Sequence, residues 1–297
     1  MKTIDAEVAG ETVRLIVEGG PSVPGRTMAD KLTWARKHAD GLRRMLMLEP
    51  RGHAGMHGAI LTEPASSTSH AGLLSMHAAG FPPVSGEGVI GALTIALEHR
   101  LIEGVGDEVL IDTPMGLFRA RPQQGTTGAI ELTGVPAFVH TAGFPIRIGA
   151  RTVTVDIAFG GELYAIADSE AVGVPIDLAN AAELIRVARE IQDAAKPTIV
   201  HGTIFTGAAR SADLRSATVL DGGVLRRSPG VTGTAALMAV LSAMGLLGEG
   251  HRFTHEGVMG TTMYGTVAGR SHEDAAVIVP VIDAAASITG FHEFVNG

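Results

Sequence analysis

Two periodicities alternate along the chain. Residues 2–8, 12–18 and 45–49 carry the apolar, β-branched runs of strands, with VRLIV the clearest. Between the second and third, Thr27 to Arg44 sets Met28, Leu32, Ala35 and Leu42 on one side of a predicted helix. The order is therefore β-β-α-β. Turn signals with a short strand follow in EPRGHAGMHGAILTEP (49–64), and another strand in AGLLSMHAAG (71–80). A helix is predicted from Val89 to Ile102, and strands over 108–112, 116–121 and 128–134. Residues 135–150, with Pro136, Gly143, Pro145 and Gly149, read as a crossing between domains. Beyond it, 151–168 predicts two strands joined at Gly160-Gly161, and Leu178 to Ala194 a helix with Asp177 as N-cap. PTIVHGTIFTG and SATVLDGGVLRRS read as strands, the latter a hairpin around Asp221-Gly222-Gly223, before an apolar helix within 228–247.

The second half thus repeats the outline of the first, though not its residues. Each half runs strands, an amphipathic helix, more strands, then a glycine-rich turn into a wholly apolar helix. The turns are GFPPVSGEGVIG (80–91) and RRSPGVTGTAA (226–236). A helix apolar on every face must be buried on every face, so each is expected at the centre of its own lobe. The expected domains are 1–140 with 276–297, and 141–275. The two helix N-termini are expected to face one another across a cleft, where free amides and the positive dipole end suit a small carboxylate.

Composition adds exclusions. The 297 residues are 45% hydrophobic but only 4% aromatic, so the core is chiefly Val, Ile, Leu, Ala and Met. The absence of cysteine excludes disulfides, thiolate metal sites and a thiol nucleophile. A net charge of −8 argues against a nucleic-acid binder. No apolar run reaches the roughly 18 residues of a membrane span, and the first twenty residues lack a signal-peptide core. Neither a GxGxxG opening a βαβ unit nor a GxxxxGK[ST] loop is present, so nucleotide binding is unsupported. A cytoplasmic enzyme of small-molecule metabolism fits this composition, and so does a plain globular domain.

Several co-linear stretches add a resemblance over nearly the whole chain: TIDAEVAGETVRLIVEGG at the start, EPRGHAGMHGA (49–59), VDIAFGGELYAIAD (155–168), IFTG (204–207), RRSPGVTGT (226–234) and ITGFHEF (288–294). They are similar to the proline racemase family, which includes proline racemase, 4-hydroxyproline epimerase and trans-3-hydroxyproline dehydratase. The resemblance implies an α/β (α+β) fold of the diaminopimelate-epimerase type. That fold has two pseudo-symmetric lobes, each a mostly antiparallel sheet wrapped around a central apolar helix. It implies an enzyme without cofactor or metal, acting on a small amino or imino acid, with no membrane or nucleic-acid partner and a homodimer left open as its assembly. In such racemases two cysteines, one per lobe, flank the α-carbon; one removes its proton and the other returns one.

Carried onto this chain, the first cysteine falls on Ser85 and the second on Gly230, while Ser228, Pro229, Thr232, Gly233 and Thr234 match the second motif. Glu87 stands where many relatives carry histidine, and Arg226 where they carry the aspartate that grips the ring amine. Glu7 likewise stands where histidine is common.

A bare serine hydroxyl is a poor base unless a neighbour activates it, so Ser85 reads either as a site residue or as a helix N-cap. Glu87 reads as a catalytic base, as dipole compensation in a first helical turn, or as an ion-pair partner of Arg226. His53 and His57 lie in EPRGHAGMHGA; their spacing would suit a metal only on a helix, which the glycines oppose. His53 matches a family position and reads as support for the cleft. The candidate catalytic residues are Ser85 and Glu87. Gly86, Gly88, Val89, Arg226, Gly230, Val231, Thr232, Gly233, Thr234 and His53 are the candidate substrate-binding residues.

Racemisation by two bases needs an acid on each face, and Gly230 removes one. Dehydration of a 3-hydroxy acid needs one base and a protonated leaving hydroxyl. The chemistry therefore tilts towards a trans-3-hydroxy-L-proline dehydratase-like lyase. The alternatives are a racemase or epimerase in which Thr234, Glu87 or water supplies the second proton, and a degenerate paralogue that binds without turnover.

Overall fold

A computed structural model describes residues 1–123 and 128–295. The chain divides into two compact units, Met1–Gly134 with Asp283–Gly297, and Val135–Ile282.

The first unit opens with β1 (Lys2–Val8) and β2 (Glu11–Glu18) and continues through helices α1 (Met28–His38) and α2 (Asp40–Met47). Then come β3 (His57–Thr62), β4 (Ala71–His77), α3 (Gly86–Glu98), β5 (Val109–Thr113), β6 (Gly116–Pro122) and β7 (Ala129–Thr133). The strands order as β1-β2-β3-β4-β5-β6-β7, and the last strand of the chain, β16 (Ile278–Glu293), pairs with both β7 and β1, closing an eight-stranded ring. Strands β2–β3 and β4–β5 pair in parallel, while β1–β2, β3–β4, β5–β6, β6–β7 and β1–β16 pair antiparallel. Helix α3 packs against β1, β2, β3, β4 and β7 from inside the ring. Its residues from Gly86 to Ala96 are all buried, as an all-round apolar helix requires. On the outer face, Met28, Leu32 and Ala35 of α1 and Leu46 and Met47 of α2 join Ile60, Leu74 and Met76 in one cluster. Burying each such aliphatic side chain stabilises the fold by roughly 1.5–3 kcal/mol.

The second unit holds β8 (Phe138–Ile148), β9 (Arg151–Phe159), β10 (Leu163–Asp168), the short helix α4 (Ser169–Val172) and α5 (Ala181–Ala194). It continues with β11 (Gly202–Gly207), β12 (Leu214–Leu220), β13 (Val224–Leu225), α6 (Val231–Ala243), β14 (Arg252–Glu256) and β15 (Thr262–Arg270). The strands order as β16-β15-β14-β12-β11-β10-β9-β8, and a bridge between Ala137 and Ile278 joins the two edges. Parallel pairs recur at β10–β11 and β12–β14, the counterparts of those in the first unit. Helix α6 packs inside, against β8, β9, β10 and β15. Leu184, Val187, Ala188 and Ile191 of α5 cover the outer face with Val155, Ile157, Phe205 and Val219. Each unit is therefore an outer amphipathic helix layer, a mostly antiparallel sheet and a central apolar helix.

Three expectations are corrected. The single helix over Thr27–Arg44 is two. A capping box between Thr27 and Asp30 starts α1, the Ala39 amide ends it by donating a hydrogen bond to the Ala35 carbonyl, and the Ala39 carbonyl, accepting from Arg43, then opens α2. The strand at 45–49 is largely the last turn of α2; four or five apolar residues alone do not separate a strand from a buried helical turn. The crossing at 135–150 is mostly the long strand β8, paired with β9 throughout. Its proline and glycines mark irregularities: the register shifts twice between Val139 and Phe144, Gly143 has φ +61°, and Pro145 lies in the last strand of the path.

Candidate active site

In the first unit the site begins at Ser85, N-cap of α3, whose Oγ accepts from the Gly88 amide at 3.0 Å. Its own amide donates to Ser75 Oγ on β4 at 3.0 Å. The same Ser85 Oγ lies 2.8 Å from Nδ1 of His57, the first residue of β3. Both side chains are buried, at 7% and 5% exposed. Ser85 Oγ accepts from Gly88, and its own hydrogen can go to Nδ1 in the tautomer that carries the imidazole hydrogen on Nε2. In that tautomer the serine is an N-cap and, at the same time, a hydroxyl polarised by a base.

A buried ion pair secures the loop leading to His57. Arg14 binds Asp5 through Nε and Nη2, both at 2.8 Å. Its Nη1 donates to the carbonyls of Leu46 at 2.8 Å and Arg51 at 2.6 Å. The guanidinium also sits over the Phe294 ring, 4.8 Å from its centroid. Strand β2 thereby holds the chain six residues ahead of His57.

Gly86, Glu87, Gly88 and Val89 form the first turn of α3 and are buried. The Val89 amide returns to the Ser85 carbonyl at 2.9 Å, closing the first turn of the helix. His53 is half-buried in the loop before β3, where its carbonyl accepts from Met56 at 3.0 Å. His57, and not His53, meets Ser85.

In the second unit Gly230 is the N-cap of α6, with φ +85° and ψ +126°, a conformation that L side chains rarely adopt. Four residues on, Thr234 Oγ1 donates to the Gly230 carbonyl at 2.6 Å and lies 2.8 Å from His255 Nδ1. His255 Nε2 lies 2.7 Å from Ser216 Oγ. A carbonyl can only accept, so the Thr234 hydrogen goes to Gly230, His255 Nδ1–H donates to Thr234, and Ser216 donates to Nε2. Burial pushes His255 down to about 3, so it stays neutral. Thr234 is wholly buried and its one hydroxyl hydrogen is committed.

Val231 and Gly233 are buried and Thr232 is half-buried. Thr232 Oγ1 lies 2.7 Å from the hydroxyl of Tyr164 on β10. The turn before β10 rests on this end of α6: a Cβ on Gly160 would stand 2.3 Å from the Thr232 carbonyl oxygen. Glu162 in that turn is pushed up to about 6 by burial. Arg226 is buried, and its amide donates to the Thr218 carbonyl at 2.8 Å.

Sequence reasoning singled out the two helix starts but left out of the site His57, His255, Ser216, Ser75 and Tyr164, whose partners lie 10 to 68 residues away along the chain. Among the described residues no three His, Asp or Glu side chains gather as a metal site, and no helix is long and apolar enough to cross a membrane.

The family description "Proline racemase" matches residues 3–296. The chain belongs to the proline racemase family. It is 35% identical to a trans-3-hydroxy-L-proline dehydratase of Bacillus cereus, with 99% of this chain and 93% of that one covered. It is 32% identical to a proline racemase of Clostridioides difficile, with 99% and 94% covered. A hydroxyproline epimerase from Agrobacterium vitis, solved with trans-4-hydroxy-L-proline bound, superposes with a TM-score of 0.87 at 27% identity over 98% of this chain and 90% of that one. The Bacillus anthracis PhzF-family phenazine biosynthesis protein, at 11% identity, shares the fold, with a TM-score of 0.66 over 100% and 99% of the two chains. In this proline racemase-family chain, one helix start carries a serine–histidine pair and the other a glycine.

Proposed function

We propose that the chain removes the α-proton of a proline-like amino acid and expels its 3-hydroxyl, as a lyase resembling trans-3-hydroxy-L-proline dehydratase. The observation that carries this reading is the Ser85 hydroxyl 2.8 Å from His57 Nδ1, at the start of a buried helix. It supplies one activated base, while Gly230 supplies no side chain for a second. Ser85 Oγ takes the proton from Cα as its own passes to His57 Nδ1. The electron pair left on Cα forms the Cα–Cβ double bond as the Cβ–O bond breaks, and the oxygen leaves as water after gaining a proton. The substrate carboxylate is read against the amides at the start of α3. No cofactor or metal enters the scheme, which is read as cytoplasmic.

The solved relative holding trans-4-hydroxy-L-proline favours a second reading, an epimerase or racemase in which Glu87 or a water returns the proton. Incubation in D₂O with trans-3-hydroxy-L-proline, trans-4-hydroxy-L-proline and L-proline, followed by proton NMR, tests both. Loss of the 3-hydroxyl supports the lyase, and α-deuteration with inversion supports the second reading. No change with any of them, together with binding of pyrrole-2-carboxylate, identifies a paralogue that binds without turnover.

A further inference from the structure

The second unit carries a pocket of about 650 Å³ where β10 and β11 end and β12 begins, walled by α4 and the turn that follows it to Asp177. On β12, Ser216 reaches His255 and through it Thr234 of the central helix. Its neighbour Arg215 therefore points to the opposite, outer face of the sheet, where it lines the pocket. Tyr164 and Thr232 meet at the other end of β10. The pocket is thus distinct from the start of α6.

Its polar groups are unusually uncommitted. Ser169 lines the pocket and is 8% exposed, and among the described residues its Oγ has no hydrogen-bond partner. A Cβ on Gly207, another lining residue, would stand 3.0 Å from that oxygen, so the hydroxyl faces the hollow that the glycine leaves. A buried hydroxyl without a partner is costly, and a ligand relieves the cost. Arg215 is fixed by one part of its guanidinium. Nη2 donates to the Val258 carbonyl at 3.1 Å, and Nε lies 3.3 Å from Glu256 Oε1 without making a hydrogen bond to it. Among the described residues Nη1 has no acceptor. The pocket also holds two carboxylates. Asp177 Oδ1 accepts from the Asn180 amide at 2.9 Å and its side chain at 2.7 Å, while Asp177 Oδ2 and the Glu170 carboxylate have no partner among the described residues. At the rim, a Cβ on Gly173 would stand 2.9 Å from Arg151 Nη1, so the glycine admits a second guanidinium.

Charge of both signs in one pocket narrows the ligand. A simple anion would meet the two carboxylates, and a simple cation the two guanidiniums. Val174, Pro175 and Ile176 add an apolar wall. A small zwitterion with an apolar body satisfies all three features. We infer that this pocket binds a free amino acid with an aliphatic side chain. Its carboxylate lies on Arg215 and Ser169, and its ammonium on Glu170 and Asp177. The site is separate from the reaction proposed above and does not depend on it.

Three small molecules separate the charges: L-valine, isovalerate, which lacks the amine, and isobutylamine, which lacks the carboxylate. Each is titrated into the purified protein while the amide NMR signals of Ser169, Gly173, Gly207 and Arg215 are followed. L-Valine is expected to shift them saturably, and each single-charge analogue to bind at least tenfold more weakly. Ser169→Ala gives up no hydrogen bond within the protein, so it is expected to melt at the wild-type temperature and to bind L-valine at least fivefold more weakly. Glu170→Gln is expected to weaken L-valine while leaving isovalerate unweakened. An analogue that binds as tightly as L-valine would overturn the inference in favour of a plain anion or cation site. Wild-type affinity in Ser169→Ala would overturn it as well, as would L-valine shifts absent from these four amides.

Discussion

Ser85 Oγ and His57 Nδ1 lie 2.8 Å apart, although 28 residues separate them. Strand β3 presents the histidine at its first residue and the start of α3 presents the serine, so the pair exists only when sheet and helix are both formed. Without the histidine, Ser85 Oγ still accepts the hydrogen bond from the Gly88 amide and the helix keeps its cap. His57→Gln is therefore expected to slow turnover by about 100-fold or more, the usual scale for a lost general base, while α3 stays capped. Steady-state kinetics with the melting temperature check this. Unimpaired turnover would show that the histidine only packs.

Gly230 is more than a cysteine with its side chain removed. Its backbone, at φ +85° and ψ +126°, lies where a Cβ is strained by about 1–3 kcal/mol. Gly230→Cys is expected to unfold at lower denaturant concentration by that margin and to gain no racemase activity. A variant of unaltered stability that racemises proline would show that the turn relaxes to accept the thiol.

Burial shifts two groups of the second unit in ways that oppose each other. Glu162 is raised from 4.5 to about 6. Between those values the folded state binds more protons than the unfolded, so this group's contribution falls as pH rises. His255 is lowered from 6.5 to about 3, so between those values the unfolded state binds more protons and stability falls as pH drops. Over the shared window the two slopes offset one another. Glu162→Gln is expected to gain on the order of 1–2 kcal/mol at pH 7.5 and to lose stability more steeply than wild type on acidification below pH 6. Urea melts at pH 7.5 and 5 read both effects, and parallel curves for the two proteins would contradict them.

The Asp5–Arg14 pair is buried at both ends. Removing one partner leaves an uncompensated charge, which costs roughly 3–5 kcal/mol. Asp5→Ala is expected to lose stability on that scale and to loosen the segment that Arg14 holds through the Arg51 carbonyl. Hydrogen exchange should rise between residues 51 and 57. A loss confined to β1 and β2 would contradict the role given to Arg14.

What the sequence made legible follows from what is local. The two central helices were readable because Val89 to Ala96 and Val231 to Ala243 are apolar at every phase, which has one physical meaning in a globular chain. Ser85 was readable as a cap because a cap acts within three residues. His57 was weighed beside His53, and only the pairing of β3 with β4 and the entry of α3 decide which one reaches Ser85. Tyr164 and Thr232 are 68 residues apart, and Ser216, Thr234 and His255 meet through a strand order that sequence spacing does not encode. Strand β8 was hidden for the opposite reason: its glycines and proline, local turn signals, here serve register shifts in a strand.

The central claim is that Ser85, activated by His57, takes the α-proton. Loss of label from Cα of 2-deuterio-trans-3-hydroxy-L-proline tests it most directly, comparing wild type with Ser85→Ala. Losing the cap costs about 1 kcal/mol, so the variant should still fold, and its binding of pyrrole-2-carboxylate provides a check that the pocket persists. The account predicts rapid label loss in wild type and a rate at least 100-fold lower in Ser85→Ala with the mimic still bound. Label loss at the wild-type rate in Ser85→Ala would contradict it, and would move the role of base from Ser85 to another group such as Glu87.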